Sequence, residues 1–199
     1  MKILYWILLI VFLSSCIRKS NVKESPSVTI GQQKTENRKT EYIENGKKNS
    51  LIIENRIAHE FSTLEKKDIF SIYIKGKSLS EGKVIFTITS SNGVEIHKEE
   101  FPSYLLMDYG YIGNPNSIKE REGYMKKRII EFFNEKYFTF PAIKTTENYD
   151  KDYSDKEIWD EIKSNKSAIG FYYSIGEEDG RKIAFSKKKR KAILYFNCC

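Results

Sequence analysis

Two histidines, each close to a glutamate, are the residues of this chain whose types and spacing could support acid–base chemistry. His97 lies two residues before Glu99, so in a strand both side chains would project from the same face. His59 is adjacent to Glu60, in a segment for which we predict a helix over 54–64. A histidine with a carboxylate is the minimum set for a general base or a metal site. Such pairs are also typical of solvated surfaces, and we predict no catalytic residue from them.

No motif in the sequence indicates an enzyme class, a cofactor or a metal. The nucleophile motif Gly-x-Ser-x-Gly, phosphate-binding glycine loops and paired-cysteine zinc motifs are all missing from it. Asp150, Asp152 and Asp155 have a spacing similar to that of a calcium loop, but without its glycine and terminal glutamate. We interpret these aspartates as part of a solvated loop. We therefore expect no cofactor and no metal, and the sequence does not favour an enzyme.

The elements that would position these residues occur as runs of strands and runs of helices. Alternating apolar residues predict three early strands, over 69–75, over 83–90 and from Val94 onwards. Three more strands are predicted near the end of the sequence, over 168–175, 181–186 and 191–196. Between these runs, two helices are predicted from the capping boxes Ser117 with Glu120 and Ser154 with Glu157. The order βββ–αα–βββ predicts an α+β fold with one mainly antiparallel sheet and both helices packed on one face.

The hydrophobic pattern also predicts the register of the hairpin that precedes His97. A three-residue loop over 91–93 would pair Ile88 with Ile96 and keep the apolar side chains on one face. A two-residue turn would instead pair Ile88 with His97, which mixes core and solvent faces. We therefore predict the three-residue loop, with Gly93 in the left-handed conformation.

The segment from Phe101 to Asn116 contains more apolar side chains than a connection between elements normally needs. An exposed cluster of such residues is typical of a protein interface. The same residues could also lie across the sheet as an irregular cover, and the sequence leaves both interpretations open. The candidate interface residues are Phe101, Tyr104, Leu105, Leu106, Tyr109 and Tyr111.

Five consecutive basic residues form the most strongly charged run of the chain: Lys187, Lys188, Lys189, Arg190 and Lys191. Such a run attracts anionic lipid, each residue contributing about 1 kcal/mol close to an anionic leaflet, or it attracts an acidic protein. It is also typical of a charged hairpin turn or of an edge strand that is protected from aggregation. The sequence predicts a basic patch here and leaves its role open.

The charge distribution argues against a nucleic-acid partner. The formal net charge is +7, but residues 51–180 carry 18 basic and 23 acidic residues. The excess of basic residues therefore lies in the N-terminal segment and in the last hairpin. Nucleic-acid binding usually requires basic residues that cluster across a folded face, so we expect no nucleic-acid partner.

The N-terminus has the pattern of an export signal that ends at a cysteine. Lys2 is followed by eleven residues without charge, Ile3 to Leu13, which is about half the length of a membrane-spanning helix. Leu13-Ser14-Ser15 then leads directly into Cys16. This arrangement resembles the lipobox of bacterial lipoproteins. The resemblance implies cleavage before Cys16, a diacylglycerol on its thiol and often a further acyl chain such as palmitate, so that the membrane is a partner through lipid.

The resemblance also suggests a domain organisation and a location. We predict a signal peptide over 1–15, a lipidated cysteine with a flexible tether over 16–50, and one globular α+β domain over 51–199. Residues 17–20 hold no acidic residue, which by the same resemblance indicates the periplasmic side of an outer membrane. In a host with a single membrane, the outer face of that membrane is the equivalent place.

Two adjacent cysteines, Cys198 and Cys199, are the last residues of the sequence. The cell envelope permits disulfides, but the chain has no separated cysteine pair that could crosslink the domain. Two exposed thiols, a vicinal disulfide and an intermolecular bridge are the alternatives that the sequence leaves open.

These observations predict a lipid-anchored envelope protein whose domain binds another protein. It would act as an inhibitor or immunity factor, or as an accessory subunit of an envelope assembly. The alternatives are an envelope hydrolase that uses His97 with carboxylates, and a carrier that holds a small ligand between sheet and helices.

Overall fold

A computed structural model of the chain describes residues 39–42, 50–108 and 110–198. The predicted signal peptide, Cys16 and most of the predicted tether lie outside these residues, as do Tyr109 and Cys199. No helix within the described part of the chain is long and apolar enough to span a membrane.

The first sheet is antiparallel and contains five strands in sequence order. They are β1 (Lys39–Tyr42), β2 (Ser50–Glu60), β3 (Lys67–Gly76), β4 (Gly82–Thr89) and β5 (Glu95–Pro102). β1 falls within the segment predicted as the tether, so the sheet begins before residue 51.

The predicted helix over 54–64 is wrong, because most of this segment belongs to β2. The polar residue Asn55 hides the alternation, since it lies fully buried on the same face as Ile53. Its amide nitrogen donates hydrogen bonds to the backbone oxygens of Ile129 and Ile130, at 2.8 and 3.0 Å. Asn55 therefore occupies a buried position at which the strand pattern requires an apolar residue, and its hydrogen bonds compensate for the burial of its amide.

The remaining strands form a second antiparallel sheet, so the prediction of a single sheet is wrong while the α+β class is correct. This sheet contains β6 (Phe138–Thr139), β7 (Gly170–Ser174), β8 (Gly180–Ser186) and β9 (Lys191–Cys198). Neighbouring residues of β8 are buried on opposite faces: Ile183 packs in one hydrophobic core and Ala184 in another. A sheet that is apolar on both faces has to lie between two layers.

The two helices pack against different sheets, so the prediction that both lie on one face is also wrong. α1 (Ile118–Glu131) packs against the first sheet, where Met125 and Ile129 join the core between the sheets. α2 (Lys156–Ser164) packs on the far side of the second sheet, where Trp159 and Ile162 form the second core.

The helix starts were predicted well for α1 and less well for α2. The Ser117 side chain accepts a hydrogen bond from the backbone nitrogen of Glu120 at 3.3 Å, as a capping residue should. In α2 the capping residue is Asp155, whose carboxylate accepts from the nitrogen of Ile158 at 3.0 Å, so the predicted cap at Ser154 is wrong. A carboxylate is as effective a cap as a hydroxyl, so Asp155 caps the helix one residue later than the capping box predicts.

Candidate functional site

A β-bulge in the hairpin β4–β5 decides where His97 and Glu99 point. At its tip the predicted loop is correct, because the nitrogen of Ser90 donates to the oxygen of Val94 at 2.8 Å and Gly93 has a φ of +83°. The predicted pairing of Ile88 with Ile96 is wrong, because the register shifts and Ile88 pairs with His97. The extra residue of a bulge changes the face on which all later residues lie.

The bulge directs two polar side chains of β5 towards the second sheet. Glu99 is paired with Phe86, whose ring is fully buried between the sheets. His97 lies beside the same ring, with 4.7 Å between the ring centroids. His97 and Glu99 therefore share one face, and this face is the inner one.

Glu99 binds two residues of the second sheet. Its Oε2 atom accepts a hydrogen bond of 2.6 Å from the hydroxyl of Tyr173. Its Oε1 atom accepts a hydrogen bond from Arg181, which also donates to both carboxylate oxygens of Asp179, at 2.6 and 2.7 Å. Burial and the negative charge of Glu99 raise the pKa of the Tyr173 hydroxyl. Tyr173 therefore stays protonated at neutral pH, and its hydroxyl and the Arg181 guanidinium both donate to Glu99, which connects the two sheets.

His97 has a different environment from its neighbours. Burial, and secondarily the charge of Arg181, lowers its pKa to about 4, so the imidazole is neutral at pH 7. Its Nε2 atom lies 3.9 Å from Oε2 of Glu99, and among the described residues it has no hydrogen-bond partner. His97 lines an opening of about 200 Å³ together with Ala192 and Leu194, while its Nε2 atom itself is buried.

The polar cluster of His97, Glu99, Tyr173 and Arg181 has few groups that could react with a bound molecule. Both oxygens of Glu99 already accept hydrogen bonds, and the guanidinium of Arg181 already serves two carboxylates. The Nε2 atom of His97 is the one buried polar atom of this group without a hydrogen-bond partner among the described residues, and it would be a proton acceptor when the neutral ring carries its proton on Nδ1. The arrangement is best described as a polar connection between the sheets that contains one candidate base.

His59 lies in β2 and is separated from β5 by two other strands. Its ring stacks on Phe138, with centroids 3.7 Å apart and an angle of 11° between the planes. Its Nδ1 atom lies 2.6 Å from the backbone oxygen of Glu60, and its Nε2 atom 3.4 Å from Oε1 of Glu135. The structure therefore does not bring the two histidines together, and His59 attaches the start of the second sheet to the first.

The candidate interface segment after β5 is partly core and partly surface. Phe101 and Leu106 are buried in the core between the sheets, and Leu105 packs against that core. Tyr104 is 56% exposed and Tyr111 is half-buried. Both interpretations from the sequence thus describe a part of the segment, which contains a 3₁₀-helix over Ser103–Met107.

Two residues that were not among the candidate interface residues extend this exposed region. Ile112 is 99% exposed and Ile118, the first residue of α1, is 62% exposed. We call the region from Tyr104 to Ile118 the 104–118 surface. The apolar Ile112 between turn residues was the signal in the sequence that could have identified it.

An open cleft of about 310 Å³ lies next to the 104–118 surface, between α1 and β7. Arg128 holds the walls of the cleft in place, since its guanidinium donates hydrogen bonds to the backbone oxygens of Leu106, at 3.3 Å, and Ser174, at 2.9 Å. Tyrosine rings and charged groups make up its walls: Tyr124, Lys127, Arg128, Glu131, Tyr137 and Tyr172. Such a mixture suits contact with a polar surface or a peptide better than enclosure of an apolar molecule.

The basic residues Lys187 to Lys191 lie at the turn between β8 and β9, and their side chains are exposed. The turn is held by Ser186, whose hydroxyl donates to Glu161 at 2.6 Å and accepts from the nitrogen of Lys189 at 2.9 Å. Arg190 has a φ of +54°, an unusual value for a residue other than glycine. The basic run therefore forms a charged hairpin turn, which is one of the alternatives that the sequence left open.

The acidic residues of the predicted solvated loop have local structural roles. Asp150 accepts a hydrogen bond from the nitrogen of Asp152 at 3.0 Å, and Asp155 caps α2. Within the described parts of the chain, no group of three or more histidine, cysteine, aspartate and glutamate side chains is arranged to hold a metal ion.

No family model, curated protein or solved structure matches the chain. The function of this protein therefore has to be argued from its own residues.

The residues that sequence reasoning missed are those brought together by the fold. Arg181 and Glu99 are 82 positions apart, and no spacing rule connects them. Tyr124, Tyr137 and Tyr172 come from three separate elements and meet only at the cleft. The sequence shows that tyrosine is abundant, but it does not distinguish a tyrosine that packs in the core from one that lines a surface.

Proposed function

We propose that this protein is a lipid-anchored protein of the bacterial cell envelope whose domain binds another protein through the 104–118 surface and the adjacent cleft. The observation that carries the proposal is the concentration of exposed apolar side chains on one segment: Tyr104, Ile112 and Ile118. Exposed apolar residues that are grouped in this way mark interaction sites more often than scattered ones do.

The cleft supports a protein partner rather than a small apolar ligand. Its walls carry Lys127, Arg128 and Glu131 together with tyrosine rings. Tyrosine and arginine are enriched at the centres of protein interfaces, where they combine apolar contact with hydrogen bonding. A carrier for an apolar ligand would instead need an enclosed and mostly apolar cavity.

The anchor and the location rest on the sequence of residues 1–16. A lipid on Cys16 would hold the protein at the membrane, with the domain on the periplasmic side of an outer membrane or on the outer face of a single membrane. The partner would then be another envelope protein. An inhibitor or immunity factor and an accessory subunit of an envelope assembly are both consistent with a domain that acts by binding.

The anchor is tested by mass spectrometry of the protein purified from its host membrane. The mature N-terminal peptide should begin at Cys16 and carry the mass of a diacylglycerol. Replacement of Cys16 by serine should release the protein from the membrane fraction or leave the signal peptide uncleaved. A wild-type N-terminus without lipid would contradict the anchor.

The binding surface is tested by crosslinking the full-length protein in its own envelope and identifying the products. A specific partner should be lost when Ile112 and Ile118 are both replaced by serine. The matched control is Phe140→Ser, which removes an apolar side chain that is 62% exposed, as Ile118 is, and that lies outside the 104–118 surface. A partner that is retained by the double variant would contradict this surface.

A second candidate function, an envelope hydrolase, is favoured only by the Nε2 atom of His97 beside its small opening. Replacing His97 and His59 separately by glutamine tests it, with the unfolding free energy of each variant measured in parallel. If both variants remain folded and support the wild-type cellular phenotype, the hydrolase has lost both of its candidate bases.

A further inference from the structure

Three loops meet at the end of the domain opposite the 104–118 surface. They connect β2 to β3, β4 to β5 and β8 to β9, and we call residues 61–66, 90–94 and 187–191 the basic end. Two grooves, of about 480 and 400 Å³, run between these loops. Arg190 lines one groove beside Val94, and Lys187 lines the other beside Leu64.

The basic end carries a strong local excess of positive charge. With the flanking residues Lys67, Asp68 and Glu95 included, it has seven lysines and arginines, against the three carboxylates of Glu65, Asp68 and Glu95. Glu161 lies next to the turn and accepts the hydrogen bond of the Ser186 hydroxyl, so one further carboxylate borders the basic end. The cations still outnumber the carboxylates and their side chains are exposed, in contrast to the mildly acidic body of the domain.

Exposed apolar side chains lie among these cations. Leu64 is 49% exposed and Val94 is 55% exposed, and they belong to two different loops of the basic end. Basic residues combined with apolar residues at the same surface are the composition that binds the interface of an anionic membrane. An acidic protein would satisfy the cations, but it would not by itself explain apolar residues at the tips of two loops.

A buried carboxylate holds two of the loops in place. Asp68 is fully buried, and one of its oxygens accepts hydrogen bonds from the nitrogen of Ser62, at 2.6 Å. Its other oxygen accepts from the Ser62 hydroxyl, at 3.0 Å, and from the nitrogen of Ser91, at 2.8 Å. Because both loops are attached to one side chain, Leu64 and Val94 are presented together.

We propose that the basic end docks on the surface of a bilayer that contains anionic phospholipid, with Leu64 and Val94 entering the interface and the basic turn contacting phosphate groups. β5 runs from the basic end to the 104–118 surface, and its eight residues span roughly 26 Å. Docking in this way points the 104–118 surface away from the membrane. This orientation rests on the proposed function, whereas the contact with lipid does not.

The experiment uses the full-length protein with vesicles of phosphatidylcholine alone, or of phosphatidylcholine and phosphatidylglycerol in equal parts. Lysines are acetylated briefly and each peptide is quantified by mass spectrometry. On anionic vesicles, acetylation of Lys187, Lys188 and Lys189 should fall severalfold relative to neutral vesicles, and high salt should restore it. Lys77 and Lys119, which are exposed at other places, should react equally on both.

Paired variants assign the protection to the proposed residues. Leu64→Ser combined with Val94→Ser should weaken the protection of the basic turn, and so should Lys188→Gln combined with Lys189→Gln. Ile112→Ser combined with Ile118→Ser is the control and should leave the protection unchanged. Equal acetylation of the turn on both kinds of vesicle would overturn the proposal.

The same experiment separates this inference from the proposed function. Sedimentation with neutral vesicles reports the lipid anchor alone, and its failure would affect the anchor but not the docking. Protection of the turn that appears only after an acidic envelope protein is added, and never with vesicles, would overturn docking on lipid and identify an acidic protein as the partner of the basic end.

Discussion

The hydroxyl of Tyr173 lies 2.6 Å from the Oε2 atom of Glu99, so that a strand of the second sheet is hydrogen-bonded by its side chain to a strand of the first. Arg181 donates to the other oxygen of the same carboxylate. The two sheets are therefore held together by a polar contact as well as by the aromatic core that surrounds it.

Replacing Glu99 by glutamine should destabilise the protein. The change leaves Arg181 with one carboxylate instead of two, and a lost hydrogen bond to a charged group costs about 1.5–3 kcal/mol. Urea unfolding followed by circular dichroism measures it. Glu100→Gln is the matched control, because Glu100 lies on the outer face of β5 with exposed lysine partners and should show a much smaller loss. Equal losses for the two variants would contradict the polar connection.

The lowered pKa of His97 predicts a specific dependence of stability on pH. The folded protein keeps this histidine neutral down to about pH 4, whereas an unfolded chain binds a proton near pH 6.5. The neutral His97 therefore makes its full contribution to the free energy of unfolding, about 3 kcal/mol, above pH 6.5. This contribution declines as the pH falls and is lost below about pH 4.

This dependence is measured as the difference in unfolding free energy between wild type and His97→Gln at several pH values. Because both proteins contain the same carboxylates, the effects of these groups on the unfolding free energy in this pH range cancel in the difference. NMR titration of the His97 ring provides the direct check, and a midpoint near 6.5 in the folded protein would show that burial does not exclude the proton.

Asn55 should matter for α1 although it lies in β2. Its amide is the hydrogen-bond donor for Ile129 and Ile130, whose backbone oxygens lie in the last turn of the helix. Asn55→Ala should cost about 1–3 kcal/mol and increase amide hydrogen exchange near the end of α1. Asn116→Ala, at an exposed position, is the control. Unchanged exchange in α1 would contradict this role.

Two glycine-to-alanine changes should have opposite signs. Gly93 has a left-handed φ of +83°, and no atom lies within 4 Å of an added methyl group, so Gly93→Ala should destabilise by about 1 kcal/mol through the backbone alone. Gly123 lies inside α1 with equal space around it, so Gly123→Ala should stabilise by up to about 1 kcal/mol. Thermal unfolding of both variants tests the pair, and shifts of the same sign would contradict it.

The sequence was sufficient where local chemistry decides the structure. The strands β3 and β4 alternate cleanly, and the tip of the hairpin at Gly93 follows from turn geometry. The sequence was insufficient where a distant partner decides the structure. The strand that contains Asn55 was predicted as a helix, because the sequence does not show that carbonyl groups of α1 accept the hydrogen bonds of this buried amide. The bulge after Ile88 is of the same kind, because Glu99 becomes an inner residue only when Arg181 and Tyr173 are there to receive it.

The candidate site shows the same division. The basic turn and part of the 104–118 surface were visible as composition, and the structure adds which of those side chains are exposed. The cleft was not visible, since a cavity formed by three elements leaves no trace in the spacing of any one of them.

The position of the last strand has a practical consequence for experiments with fusion proteins. Cys198 in β9 pairs with Gly180, which also pairs with Ser174 at the edge of the cleft. An affinity tag fused after β9 would therefore leave the domain close to the cleft and compete with the partner it is meant to recover. A bait that carries its tag on the exposed face of α2, which packs on the far side of the second sheet, would keep that entrance clear.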